Sequence, residues 1–195
     1  MNINYIILHH TATPGKGDGE LEWNTIMKLC QQRRGEDYLC DYHFGIGPTG
    51  RLFTGQITTN PCWHCGIDAI NLASLAVACI GNFEQSPMPD LQRTQLILLL
   101  QKLKFNYPGA KINLHKDIVP TLCPGKYFPS EEVQARINST NRFSDLTPDN
   151  IFYPAIQEIV QKGIMVGDRE GTFRPKEMVS REELAQVITN LLKKL

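Results

Sequence analysis

The chain has 195 residues, with 20 basic and 20 acidic side chains, 42% hydrophobic and 21% charged residues. That length holds about 1.3 domains of the usual size, one full domain and something smaller, and the composition excludes a disordered chain. Zero net charge gives no field of one sign to hold a nucleic acid, so no such partner is expected.

The most apolar stretches, Leu72–Ile80 and Leu96–Leu100, are far shorter than the ~20 residues that span a membrane, so no membrane partner is expected either. The opening Met1-Asn2-Ile3-Asn4-Tyr5-Ile6-Ile7-Leu8 has no basic n-region and no small-residue cleavage site. Synthesis in the cytoplasm without a signal peptide is the expectation. In that compartment a metal or catalytic role for some of the six cysteines is favoured over a disulfide framework. Cys79, inside an apolar run, reads as core.

In chain order, Asn4–His9 is a short β-branched and apolar run that predicts a buried strand, broken by Thr13-Pro14-Gly15-Lys16-Gly17. Glu22–Arg34 carries Trp23, Ile26, Met27 and Cys30 at helical spacing, with Gly35 to close it. Tyr42–Gly55 predicts a hairpin turning at Pro48-Thr49-Gly50. Leu75–Phe83 is a second buried strand, and Asp90–Asn106 a long helix with Asp90 as its N-cap. Lys111–Leu114 is a short strand and Ser130–Ile137 a short helix. Strands and helices alternating in this way imply an α/β fold, a mixed central β-sheet flanked by helices, over residues 1–138. The polar run Asn138-Ser139-Thr140-Asn141 reads as a linker. Beyond it, residues 141–195 predict a small helix-loop-helix unit. Its helices are Pro148–Lys162, with Thr147 as cap, and Arg181–Leu195, opened by the capping box Ser180-Arg181-Glu182-Glu183.

The chemistry centres on His9 at the end of the first strand, His115 after another strand, and Cys123 eight residues later. Three N/S ligands suit one Zn²⁺ ion, and three rather than four is the catalytic arrangement, with water in the fourth position. Spacing by itself fits ordinary strand-end histidines as well. Tyr42, taken alone, is equally a rim aromatic. Cys62-Trp63-His64-Cys65 is a lone C-x-x-C, and its spacing to Cys30 and Cys40 matches no common four-thiol site; free thiols are the preferred reading over a disulfide.

Several motifs occur in a fixed order: Ile6-Ile7-Leu8-His9-His10-Thr11-Ala12-Thr13, Asp41-Tyr42-His43-Phe44-Gly45, His64-Cys65-Gly66, Asn71, Ser74–Phe83, His115-Lys116-Asp117 and Cys123-Pro124-Gly125. The series resembles the type-2 N-acetylmuramoyl-L-alanine amidases, which include phage-lysozyme-type amidases and peptidoglycan recognition proteins. The resemblance covers nearly all of residues 1–138. It implies that His9, His115 and Cys123 are the zinc ligands and that Tyr42 faces the water and the developing oxyanion. It further implies that His64 and Asn71 line the cleft and contact the muramyl peptide. Two departures stand out. Ala78 replaces a glutamate that some members use as general base, and Thr121 replaces a lysine two residues before the last ligand. Threonine there also occurs among catalytic members, so Thr121 is a candidate catalytic residue.

Residues 141–195 carry a second series: Phe143-Ser144-Asp145-Leu146, Ala155-Ile156, Lys162–Gly167, Gly171-Thr172-Phe173-Arg174-Pro175 and Ser180–Ala185. It looks like one S-layer homology repeat. That resemblance implies binding of secondary cell-wall polysaccharide through Asp145 and Arg181, the planar guanidinium suiting a carboxylate. Arg181 reads equally as a solvated residue of the first helical turn. Such repeats usually come in threes, which leaves self-association into a homo-oligomer, docking on the first unit, or weak solitary binding open.

The leading expectation is a peptidoglycan-cleaving zinc amidase acting on the bond between N-acetylmuramic acid and L-alanine. It would be endolysin-like, released from the cytoplasm onto the cell wall. The rivals are a non-catalytic wall-recognition protein and a structural zinc site completed by His10.

Overall fold

The computed structural model describes residues 1–138, 143–168 and 171–194. The chain divides into two compact units, Met1–Ile137 and Asn138–Leu195. Ser139, Thr140 and Asn141 of the expected linker lie outside the described residues.

The first unit is a five-stranded mixed sheet with helices on both faces. Its strands are β1 (Tyr5–His10), β2 (Phe44–Ile46), β3 (Leu52–Thr54), β4 (Ser74–Cys79) and β5 (Lys111–Leu114), in the spatial order β3-β2-β4-β1-β5. The β2–β3 hairpin is antiparallel; β2–β4, β4–β1 and β1–β5 are parallel. Alternation along the strands sends Ile6, Leu8, Leu75, Val77 and Cys79 to one face. There they pack with Leu96, Leu100 and Leu103 of α3 (Asp90–Asn106) and Val133 and Ile137 of α4 (Ser130–Asn138). Gln92 of α3 is fully buried because its Nε2 donates to the carbonyls of Ile46 (2.7 Å) and Ile80 (2.9 Å) at the ends of β2 and β4.

The opposite face carries Ala78 and Ile80 and is covered by Trp23 and Cys30 of α1 (Glu20–Arg34). Close approach there depends on Gly45 in β2: a Cβ at that position would lie 2.4 Å from the Trp23 ring. A single short turn, α2 (Asp68–Asn71), leads into β4. Among the described residues no helix is long and apolar enough to cross a membrane.

Element ends shift in instructive ways. Asp90 is the first residue of α3 rather than its cap, and its carboxylate pairs instead with Arg93 at 2.5 Å. In the second unit, α5 runs Tyr153–Gln161, so Thr147 and Pro148 do not start it. The Asn150 side chain accepts from the Phe152 N–H (2.9 Å) while its backbone closes turns to Thr147 and Tyr153. These local bonds outcompete the helix before Tyr153. The last helix, α6 (Arg181–Leu192), has the expected capping box: Ser180 Oγ accepts from Glu183 N (3.1 Å) and Glu183 Oε2 from Ser180 N (2.8 Å). Phe143 is buried against Phe173, with ring centroids 5.3 Å apart. The second unit's small core is completed by Leu146, Tyr153, Ile156 and Ile164, whereas α6 has no buried residue.

Candidate active site

The site lies at the carboxyl end of β1, where open α/β sheets place their ligands. His9 faces the α1 side of the sheet and is buried beside its register partner Ala78, whose small side chain leaves room for the imidazole. His115 follows β5 directly, in a single 3-10 turn (His115–Asp117) fixed by the Asp117 carboxylate accepting from Leu114 N at 2.8 Å. Two backbone bonds bring Cys123 to both strands: Lys116 N donates to the Cys123 carbonyl (2.9 Å), and His10 N donates to Cys123 Sγ (3.3 Å). Gly125 lets this loop run against Phe83 and Glu84, where a Cβ would meet backbone at 2.3 Å.

The result is convergence. One donor atom each from His9, His115 and Cys123 lie within 4.8 Å of one another, the only such metal-type grouping found among the described residues. His115 Nε2 is buried with no hydrogen-bond partner. A buried ring nitrogen left bare is costly unless something is bound to it, and the N/N/S donor set suits zinc. The residues present therefore fit the ion. Burial, followed by the neighbouring rings of His64, His115 and His10, holds the His9 pKa well below the usual histidine value. Burial also lowers His115, and it raises the Cys123 thiol to about 11. Both histidines are thus neutral and ready to ligate, whereas Cys123 needs a cation beside it to ionise.

Tyr42 stands over this group, its ring centroid 5.3 Å from that of His9. Burial, and next the Cys123 charge, push its pKa upward, so it keeps its proton. Its placement comes from Asp41, which is buried and accepts from Arg33 Nη2 (2.7 Å), Arg34 Nε (2.9 Å) and Tyr38 Oη (3.0 Å). That cluster ties the end of α1 to the segment entering β2. Thr121 Oγ1 accepts from Cys123 N at 3.2 Å. Tyr42, Thr121, His9, His115 and Cys123 share an open cleft of about 450 Å³ with Glu84, the one carboxylate lining it among the described residues. Sequence reasoning missed Asp41 and Glu84; the Arg33-Arg34 pair at the end of α1 was the available signal for the former.

Three of the expected site groups have partners within the protein itself. Asn71 is only 1% exposed and does not line the cleft; its Oδ1 accepts from Cys65 N (3.2 Å) and Cys65 Sγ (3.1 Å), pinning the preceding loop. His64 borders the groove between α1 and Tyr42, but both ring nitrogens are taken, by His9 Nε2 (2.9 Å) and Ser74 Oγ (2.8 Å). Both side chains are thus hydrogen-bonded within the protein. In the second unit, both Asp145 oxygens accept backbone N–H groups, from Phe173 (2.8 Å) and Arg174 (2.7 Å), so Asp145 clamps the loop. Arg181 is exposed, and among the described residues no ion pair joins it to Asp145.

His10, the rival fourth ligand, is excluded from the trio: its Nδ1 accepts from Phe83 N at 3.1 Å. Cys30, Cys40, Cys62, Cys65 and Cys79 are buried free thiols.

A family profile described as N-acetylmuramoyl-L-alanine amidase matches residues 1–126, and one described as S-layer homology domain matches residues 142–185. No match was found among curated proteins. Among solved structures, the chain is similar to the N-acetylmuramoyl-L-alanine amidase LysC from Clostridium intestinale (30% identity, TM-score 0.62), covering 71% of this chain and 87% of that one. It is also similar to the Ph2119 endolysin from a Thermus scotoductus bacteriophage (29%, TM-score 0.57), covering 70% and 85%. Drosophila peptidoglycan recognition protein SD, at 22% identity and TM-score 0.57 over 68% of this chain and 80% of that one, shares the fold. With the profile spanning most of the chain and the ligand-like trio inside it, the protein belongs to the N-acetylmuramoyl-L-alanine amidase family and carries an S-layer homology unit behind it.

Proposed function

We propose that the chain is a zinc-dependent hydrolase that cuts the amide between the lactyl group of N-acetylmuramic acid and L-alanine in peptidoglycan. Its second unit would hold it on the cell wall. The observation that carries this reading is the convergence of one donor atom each from His9, His115 and Cys123 beneath Tyr42, with the buried His115 Nε2 left without a hydrogen-bond partner.

His9, His115 and Cys123 would hold the zinc ion, which when bound would supply Lewis-acid activation of water and of the scissile carbonyl. The chain's own residues do the rest. Tyr42, kept protonated by burial, donates its Oη–H to the oxyanion as the amide carbon becomes tetrahedral. Thr121 holds the Cys123 turn through the amide at 3.2 Å and lines the cleft. Ala78 offers no carboxylate beside His9, so this chain relies on the tyrosine rather than on a central-strand acid. The amidase and endolysin named among the similar structures support an enzyme that degrades wall, and the S-layer homology match supports wall binding, with secondary polysaccharide as its partner.

A soluble muramyl peptide is the direct substrate for a test. The wild-type chain releases the stem peptide with a free N-terminal alanine, and Cys123→Ser, which loses a ligand, drops the rate at least 10²-fold and lowers bound zinc. Release by Cys123→Ser at the wild-type rate would overturn the assignment.

A further inference from the structure

His64 was expected to touch substrate, and its contacts say something else. The ring sits on the loop between β3 and α2, edge-on to His9, with centroids 4.9 Å apart and planes at 86°. His64 Nδ1 lies 2.9 Å from His9 Nε2, and His64 Nε2 lies 2.8 Å from Ser74 Oγ. His9 and Ser74 are both buried, so no water competes for these bonds. The loop itself is pinned by Asn71, through the backbone N–H and thiol of Cys65 next door.

Proton bookkeeping gives this chain a direction. His9 has its Nδ1 on the side of Cys123 Sγ, 3.9 Å away, and its Nε2 on the side of His64. A neutral imidazole that ligates through Nδ1 carries its proton on Nε2. That N–H can be accepted only if His64 Nδ1 is bare, which puts the His64 proton on Nε2, facing Ser74 Oγ. The opposite tautomer of His64 would aim an N–H at Nε2 of His9, drive the His9 proton onto Nδ1, and block the ligating lone pair.

We propose that Ser74 and His64 form a hydrogen-bonded relay that holds His9 in the tautomer and orientation needed to bind the metal. This rests on the reading of His9, His115 and Cys123 as the metal centre. His64 and Ser74 are then positioning residues, acting on affinity for the ion rather than on substrate.

The test is zinc affinity of the full-length chain, measured by competition with a chromophoric chelator. The variants are His64→Phe, His64→Asn and Ser74→Ala, each checked for folding by circular dichroism. His64→Phe keeps the ring volume without nitrogens and should weaken zinc 10- to 100-fold, the usual effect of losing such a partner. Ser74→Ala, which frees the His64 tautomer, should weaken it several-fold. His64→Asn restores an acceptor near the Nδ1 position and should recover most of the affinity. Visible ligand-field bands of the cobalt-loaded protein should shift in His64→Phe and return in His64→Asn. Should His64→Phe fail to fold, Ser74→Ala decides by the same measurement. Zinc affinity within twofold of wild type in His64→Phe and Ser74→Ala overturns the relay, and a raised KM for muramyl peptide alongside it makes His64 a substrate contact. A wild-type chain that binds no zinc would instead overturn the metal centre itself.

Discussion

At the scale of single residues, function rests on side chains whose burial decides their protonation. Tyr42 is the clearest case: burial keeps its phenol protonated, so it has a proton to donate. Tyr42→Phe should lower kcat about 10²-fold, the loss typical of one oxyanion donor, while zinc affinity stays unchanged. Steady-state kinetics on a muramyl peptide, beside a zinc titration, checks both halves. An unchanged kcat would remove Tyr42 from the chemistry. That His9, His115, Cys123 and Tyr42 share one cleft was legible in the sequence because each sits in a short motif of fixed order. The hydrogen-bond partners of His64, Asn71 and Asp145 were not. Their partners stand 6 to 55 residues away, and a motif names a side chain without saying which groups consume its hydrogen bonds.

At the scale of elements, the strands were readable from their apolar runs, and the order β3-β2-β4-β1-β5 brings the ends of β1 and β5 together. Misjudged ends have local causes, such as the Asn150 turn that delays α5 to Tyr153. The entry to β2 carries a pH-dependent element as well. His43 is fully buried, with Nδ1 accepting from Ala76 N (3.0 Å) in β4 and Nε2 donating to the Asn60 carbonyl (3.0 Å). Burial pulls its pKa from 6.5 down to about 4. The unfolded chain takes up that proton near pH 6.5 and the folded chain only near 4, so the stability His43 contributes is complete above 6.5 and lost as pH falls to 4. The loss amounts to roughly 3 kcal/mol. Urea unfolding across this window should show the decline, and His43→Asn, which keeps an acceptor for Ala76, should flatten it. An equal slope in the variant would contradict the assignment.

At the scale of the whole molecule, the first unit holds the His9–His115–Cys123 grouping and its cleft and the second a loop between helices clamped by Asp145, and the proposed function divides the work between them. Asp145→Ala strands two backbone donors in that loop. It should reduce retention on isolated cell walls several-fold while leaving hydrolysis of a soluble muramyl peptide unchanged, as sedimentation with walls and a peptide assay would report. Equal loss of both activities would contradict the division.

The central claim is metal-dependent cleavage of the muramyl–alanine bond. Its most direct test is to incubate the purified chain with peptidoglycan, with chelator, and with chelator followed by zinc, reading the released peptides by mass spectrometry. The account predicts stem peptides with a free N-terminal alanine, abolished by chelator and restored by zinc. Wall binding with no released peptide in any arm would contradict it and leave a recognition protein.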